Sequence, residues 1–476
     1  MTYTFTNTKI ISTLGPATSS YEMIKLLAQA GVNVFRLNFS HGTLAGHRRN
    51  VRFIRRAEKE LKTKLGILCD LQGPKLRVAT FEKGSVALKA GQTFTVDLQN
   101  KAGDETRVCL PHPEVFQAMK KNMIILLNDG AIGLRIDRFT DSSAQATVLN
   151  DGVLSDHKGF NVPNVMLPIR SLTDKDIEDL QEILKMDINW IGLSFVQHPD
   201  DVRHAREIIG DKAAIMVKLE KPTALDYLEE IVNLSDGVMV ARGDLGVECP
   251  LEQVPSLQKK IVSVCRKKGK PVVIATQMLE TMIQNPLPTR AEVSDVATAV
   301  YDGADCVMLS GETAVGRYPV QAVSMMNRII LQTEQDPFYR LHLETDKKEE
   351  NKSVADSISI SVDPILKTLP KPALVVTFSM SGSTIFRIAQ QRPRVPILAF
   401  VGNEKIAHKV TLLWGTVPVV CKTPKTMMEI IKQAQKQAKK MGLATAKDQL
   451  VITTGYPFVG AGNTNMVHVY TMQEDV

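Results

Sequence analysis

Short apolar runs that stop at charged or polar residues recur along the chain. Lys9–Pro16, Val32–Ser40 and Gly66–Gly73 come first; Trp190–Phe195, Ala214–Glu220, Asp236–Gly246, Pro271–Gln277 and Asp305–Glu312 follow after a long interval. Runs of this length, closed by turn residues, predict strands covered on both faces. Between them Tyr21–Ala30, Asp174–Met186, Pro199–Ile209, Ser256–Lys268 and Glu292–Tyr301 carry apolar residues three or four apart, which predicts helices with one buried side. Eight such units at this spacing fit a (β/α)8 TIM barrel. A doubly wound open sheet is the alternative, and the regularity of the repeats favours the barrel.

The long interval, residues 75–168, has another texture. Val, Thr, Leu and Phe alternate with polar residues and break at Gly and Asp-Gly, as in Val86–Gly91 and Asn128–Gly130. This predicts a small β-barrel domain inserted after the third strand, at the catalytic face, where it would act as a lid. The barrel itself is then 1–74 and 169–345. A charged stretch, Glu344–Lys352, reads as a linker to a third, α/β domain over 346–476, with strands expected at Ala373–Phe378, Pro396–Val401, Pro418–Cys421, Leu450–Thr453 and Met466–Tyr470. The Lys-rich segment Lys422–Lys440 keeps Met427, Ile430, Ile431, Ala434 and Ala438 on one side, as an amphipathic surface helix does.

Composition narrows the class. The chain has 476 residues, 44% apolar and 23% charged, as expected of a soluble multidomain protein. Its net charge of +7 is diffuse and suits small anionic ligands; no basic run interleaved with aromatics marks a nucleic-acid groove. No apolar run reaches membrane-spanning length, and Met1–Thr6 lacks a signal-peptide pattern. Six dispersed cysteines without a CxxC pair point to reduced thiols, so a cytoplasmic location is expected.

The strand ends supply Arg36, Asn38, Ser40, Asp70, Lys218, Glu220, Asp244, Thr276, Ser310 and Glu312, which a barrel gathers at one mouth. Any one of them alone could be a loop salt bridge; together at strand ends they read as a site. Glu220 and Asp244, from adjacent strands, have the chemistry to share a hard divalent cation. Arg36 and Lys218 add positive charge for an anionic, phosphorylated substrate. No GxxxxGK[ST] loop is present, and no Ser-His-Asp or zinc spacing emerges; His41 and His47 have no partner for a metal. In the third domain, Ser379-Met-Ser-Gly-Ser-Thr384 opens a helix and reads either as a phosphate cradle or as a helix cap.

Several of these stretches form long motifs. Arg36–Gly42, Asp70–Arg77, Met239–Glu248, Ala275–Glu280, Pro286–Val293 and Met308–Ala314, in this order, closely resemble the pyruvate kinase family, and the resemblance runs over the whole chain. It implies transfer of a phosphoryl group from phosphoenolpyruvate to ADP, giving pyruvate and ATP. It implies Mg2+ or Mn2+ on Glu220 and Asp244, substrate phosphate on Arg36 and Lys218, and substrate carboxylate on the backbone of Gly243 and Asp244. Thr276 would lie near the enolate carbon, with Ser310 and Glu312 on the proton-delivery side. Arg77, Lys158, Pro16 and His41 match nucleotide-binding positions. Such chemistry needs positioning and charge neutralisation more than covalent catalysis.

Family members that bind K+ do so through positions matching Asn38, Ser40, Asp70 and Leu71, and carry an acid where this chain has Lys75. The Lys75 ammonium is expected to replace that ion, so K+ should not be required. The resemblance also implies a homotetramer and a sugar-phosphate or nucleotide effector gripped at Ser379, Ser381, Gly382, Ser383 and Thr384, with Gly455–Asn463 as a second effector loop. Two other readings stay open: a metal-dependent lyase or aldolase acting through a pyruvate enolate, and a non-catalytic regulatory homologue.

Overall fold

A computed structural model of the protein describes residues 5–345, 353–457 and 464–473. Eight parallel strands close on themselves: β1 (Lys9–Leu14), β2 (Val32–Asn38), β3 (Gly66–Asp70), β4 (Trp190–Leu193), β5 (Ala214–Leu219), β6 (Gly237–Ala241), β7 (Val272–Ala275) and β8 (Cys306–Leu309). Their order around the barrel is their order in sequence, with β8 paired to β1, so the open-sheet alternative falls. Along each strand alternate residues divide between two cores. Ile10, Phe35, Ile67, Ile191, Ile215 and Val238 face the helical layer. Ile11, Val34, Leu68, Trp190, Met216 and Met239 belong to a second cluster that continues into the third domain.

Several helices begin at side-chain caps. Ser20 accepts from the Met23 N–H before Tyr21–Ala30, and Thr173 and Thr289 form reciprocal capping boxes with Asp176 and Glu292. Helix Asp174–Ile183 stops three residues before the expected Met186, Pro199–Ile209 has the expected bounds, and the helices expected from Ser256 and Glu292 begin two residues earlier, at Val254 and Arg290. The stretch after β6 is a larger difference. Arg242–Glu248 is a short helix, not a turn, with Asp244 in its first turn.

The inserted segment forms a six-stranded sheet ordered 160–161, 124–127, 132–139, 143–148, 93–97, 107–109, beside a two-stranded pair of 85–88 and 152–155. It has a core of its own, from Leu76 to Leu167. The third domain has strands β9 (Pro372–Phe378), β10 (Ile397–Val401), β11 (Thr416–Val420), β12 (Gln449–Gly455) and β13 (Thr464–Thr471), ordered β11-β10-β9-β12-β13. The last strand is antiparallel to β12. The amphipathic helix runs over Met427–Lys440 and buries Ile430, Ile431, Ala434 and Ala438 against this sheet. Residues 346–352 of the expected linker and 458–463 of the expected second effector loop lie outside the described residues. No helix among the described residues is long and apolar enough to cross a membrane.

The third domain floors the barrel. Trp190, the first residue of β4, donates from its indole to the Lys409 carbonyl at 3.1 Å, and the Cys306 thiol, at the start of β8, to the Leu412 carbonyl at 3.0 Å. Beside this floor the buried Arg392 donates to Asp305 at 2.7 Å and to the Gly303 carbonyl at 2.9 Å. His408 Nε2 lies 2.8 Å from Glu58 Oε1.

Candidate active site

At the other, carboxyl end of the barrel a charged cluster is built around Asp70, the last residue of β3 and fully buried. Arg36, from β2, donates to Asp70 Oδ2 from Nε at 2.8 Å and from Nη2 at 2.5 Å, and its Nη1 reaches Thr13 Oγ1 at 3.2 Å. Lys218, near the end of β5, places Nζ 3.3 Å from the other Asp70 oxygen and 2.8 Å from Glu220 Oε1. Asp70 therefore bridges the two cations and fixes their spacing. Gly192 makes room for it, since a Cβ there would stand 2.7 Å from Asp70 Oδ1.

Burial acts on each of these charges and the neighbours answer it. Burial pushes the Asp70 carboxyl up, but Lys218 and Arg36 hold it below its ordinary value. Burial pushes the Lys218 ammonium down, but Asp70 and Glu220 hold it above its ordinary value, so it stays charged. Glu220 moves the other way. Burial raises its pKa, Lys218 opposes, and the nearby Asp244 raises it further.

Two carboxylates that repel each other in a buried place are suited to a shared cation. Glu220 Oε2 accepts from the Phe195 N–H at 2.6 Å, while Oε1 is buried without a hydrogen bond and has only the Lys218 ammonium beside it. Asp244 is half-buried, with Lys75 Nζ 3.5 Å from Oδ1. The pair fits a hard divalent ion with open positions for water and substrate oxygens.

β6 and β7 bring in the second part of the site. Thr276 and Gln277 both have positive φ, 69° and 55°, a conformation that β-branched Thr rarely adopts. Arg242 holds the turn: it pairs with Asp295 at 2.6 and 2.7 Å and donates to the Thr276 carbonyl at 2.8 Å. The Gly243 N–H donates to Thr276 Oγ1 at 2.7 Å, and that hydroxyl donates to the Ala275 carbonyl at 2.6 Å. After β8, Glu312 is fully buried and accepts from the Ser310 N–H at 2.7 Å and the Leu279 N–H at 3.0 Å; burial raises its pKa. The Ser310 hydroxyl is buried without a partner.

Other expected positions are placed less directly. Asn38 Oδ1 accepts from the Ser40 N–H at 3.1 Å, and the Leu71 carbonyl accepts from the Ser194 hydroxyl at 2.8 Å. Pro16 and His41 are exposed on loops after β1 and β2. Arg77 and Lys158 are neighbours on the insert, where Arg77 donates to the His157 carbonyl at 2.8 Å and the Lys158 carbonyl accepts from Val78. In the third domain Gly382 has φ 85°, Ser381 Oγ lies 3.0 Å from Ser383 Oγ, and Ser379 Oγ accepts from the Thr384 N–H.

Thr13, Ser194 and Asp295 hold site residues and are not among the expected ones. Ser194 had a usable signal, as the polar residue near the end of the fourth apolar run; Asp295 lies inside a helix and had none. Among the described residues, the cluster of Glu58, Glu404 and His408 has the spacing of metal ligands. Lys64, 3.2 Å from Glu58 and 2.6 Å from Glu404, already fills that place as an ion-pair partner.

Two family models match, "Pyruvate kinase, barrel domain" over residues 5–323 and "Pyruvate kinase, alpha/beta domain" over residues 356–470. The chain is 44% identical to a pyruvate kinase of Methylorubrum extorquens, over 97% of this chain and 96% of that one. It is 45% identical to one of Agrobacterium vitis, with the same coverage. A solved structure of a pyruvate kinase from Cryptosporidium parvum superposes with a TM-score of 0.92 at 31% identity, covering 98% of this chain and 96% of that one.

Proposed function

We propose a detailed mechanism for this chain, which belongs to the pyruvate kinase family and is a phosphotransferase of phosphoenolpyruvate and ADP. The observation that carries the mechanism is the Asp70 bridge, which sets Arg36 and Lys218 side by side next to the carboxylates of Glu220 and Asp244. Arg36 binds the phosphate of phosphoenolpyruvate, and the Lys218 ammonium neutralises charge on the transferring phosphoryl and on the enolate oxygen. Glu220 and Asp244 hold Mg2+ or Mn2+; when bound, the ion supplies further positive charge to those oxygens. The N–H groups of Gly243 and Asp244 orient the substrate carboxylate.

The enolate is then protonated from the side of Thr276. Glu312, whose pKa is raised by burial, can hold a proton at its carboxyl, and the buried, unpartnered hydroxyl of Ser310, two residues before it, can take part in passing it on. Arg77, Lys158, Pro16 and His41 take the nucleotide phosphates and base, and the insert (75–168) closes over them against the barrel (1–74 and 169–345).

Lys75 supplies the charge that K+ gives in other members, at the positions of Asn38, Ser40, Asp70 and Leu71. Its ammonium sits 3.5 Å from Asp244, at the rim of the metal pair. The third domain (346–476) takes a sugar-phosphate or nucleotide effector on Ser379, Ser381, Gly382, Ser383 and Thr384, and the enzyme works as a cytoplasmic homotetramer. The test is pyruvate formation from phosphoenolpyruvate and ADP with Mg2+, in K+-free buffer and again with K+. Full turnover without K+ is expected. Turnover confined to K+ buffer removes the role of Lys75, and activity that needs no divalent ion removes that of Glu220 and Asp244.

A further inference from the structure

Lys218 is anchored by more than its two carboxylates. Its Nζ also donates to the Ser194 hydroxyl, at 2.7 Å the shortest of its three contacts. Of the three, the contact with Ser194 is the one with hydrogen-bond geometry; Glu220 and Asp70 face the ammonium as ion-pair partners. Ser194 follows the last residue of β4 and is 1% exposed. Its own O–H donates to the Leu71 carbonyl at 2.8 Å, which turns an oxygen lone pair toward Lys218.

We infer that Ser194 is a positioning residue for phosphoryl transfer, setting where the Lys218 ammonium stands; this rests on the mechanism proposed above. The two carboxylates cannot do this alone. Asp70 gives its other oxygen to Arg36 in two hydrogen bonds, and Glu220 is the buried member of the metal pair. An oxygen that coordinates a divalent ion is a poorer partner for an ammonium, so Lys218 loses part of its hold at Glu220 when the site fills. Ser194 is the neutral acceptor that keeps its place whether or not that happens. It also ties the lysine to the backbone after β3, through Leu71, so that Lys218 and Asp70 are fixed to one frame.

Two replacements test this: Ser194→Ala, which removes the hydroxyl at almost constant volume, and Ser194→Thr, which keeps it. Both are compared with the unaltered enzyme in steady-state assays of pyruvate formation, with thermal melting to verify the fold. Ser194→Ala is expected to lower kcat by about 10- to 100-fold, the worth of a hydrogen bond to a charged group. KM for phosphoenolpyruvate should move by less than about threefold, since the contact matters most where charge develops. Ser194→Thr should recover most of the loss. A Ser194→Ala enzyme with undiminished kcat overturns the inference, as does a loss that falls on KM alone or a Ser194→Thr enzyme no better than Ser194→Ala. If the unaltered enzyme forms no pyruvate, it is the underlying mechanism that fails, and the inference falls with it.

Discussion

The Gly243 N–H donates to the Thr276 hydroxyl oxygen at 2.7 Å. The donor proposed for the substrate carboxylate is thus already engaged by the residue proposed to stand beside the enolate. Substrate must displace that hydroxyl, and a competing hydrogen bond of this kind is worth about 1 kcal/mol. Replacing Thr276 by Ala should leave KM for phosphoenolpyruvate unchanged or lower it severalfold while kcat falls at least tenfold. Steady-state kinetics separates the two, and a rise in KM with kcat intact would refute the competition.

Lys75 stands 3.5 Å from Asp244. An ammonium about 4 Å from a monovalent cation repels it by roughly 1–4 kcal/mol at partly screened dielectric. Lys75→Glu should therefore create a K+ requirement, read as the ratio of turnover with and without added K+. A variant equally active in both buffers speaks against any substitution of lysine for the ion.

At the floor of the barrel, burial raises the Glu58 carboxyl, but His408, Arg55 and Lys64 together bring it down to about 2 from 4.5. A depressed carboxylate binds fewer protons in the folded chain than in the unfolded one, so its contribution is complete above pH 4.5 and disappears as pH falls toward 2. The size is on the order of 3 kcal/mol. Glu58→Gln should lower the melting temperature at neutral pH, and the gap to the parent should narrow below pH 4.5. A gap constant across that window would assign the effect to packing.

Arg392 and Asp305 are both buried, and Asp305 is the main charge facing Arg392. Removing one side strands the other in a dry place, at a cost of about 3–5 kcal/mol. Arg392→Ala is expected to melt several degrees lower, with the third domain released before the barrel in calorimetry. Pairing the change with Asp305→Asn should restore part of the loss; a double variant no better than the single one would show that the guanidinium acts through its contact with Gly303.

The barrel was legible because its strands are buried on both faces, which leaves long apolar runs, and because such strands end in the residues that do chemistry. Arg36, Asp70, Lys218 and Glu220 were found this way and do meet. Their partners were harder to see. Asp295 reaches Arg242 from within a helix, and no local pattern distinguishes an acid that faces a guanidinium from one that faces water. The helix Arg242–Glu248 was hidden by its two glycines, residues of low helix propensity that tertiary packing overrides here. The link between Trp190 and the Lys409 carbonyl spans 219 residues, and a backbone acceptor leaves no mark on a sequence.

That link has a consequence for how the protein is made. The lower interior of the barrel, with Trp190, Met216 and Met239, shares one apolar cluster with Val410, Leu412 and Leu413. A ribosome releases all eight strands well before it reaches those last residues, and domains fold in the order they emerge. The nascent barrel is therefore a vessel without a base, its tryptophan open to water, until the final quarter of the chain arrives to close it. Translation that halts after the barrel would yield a product with an exposed apolar floor, fit for capture by chaperones and proteases.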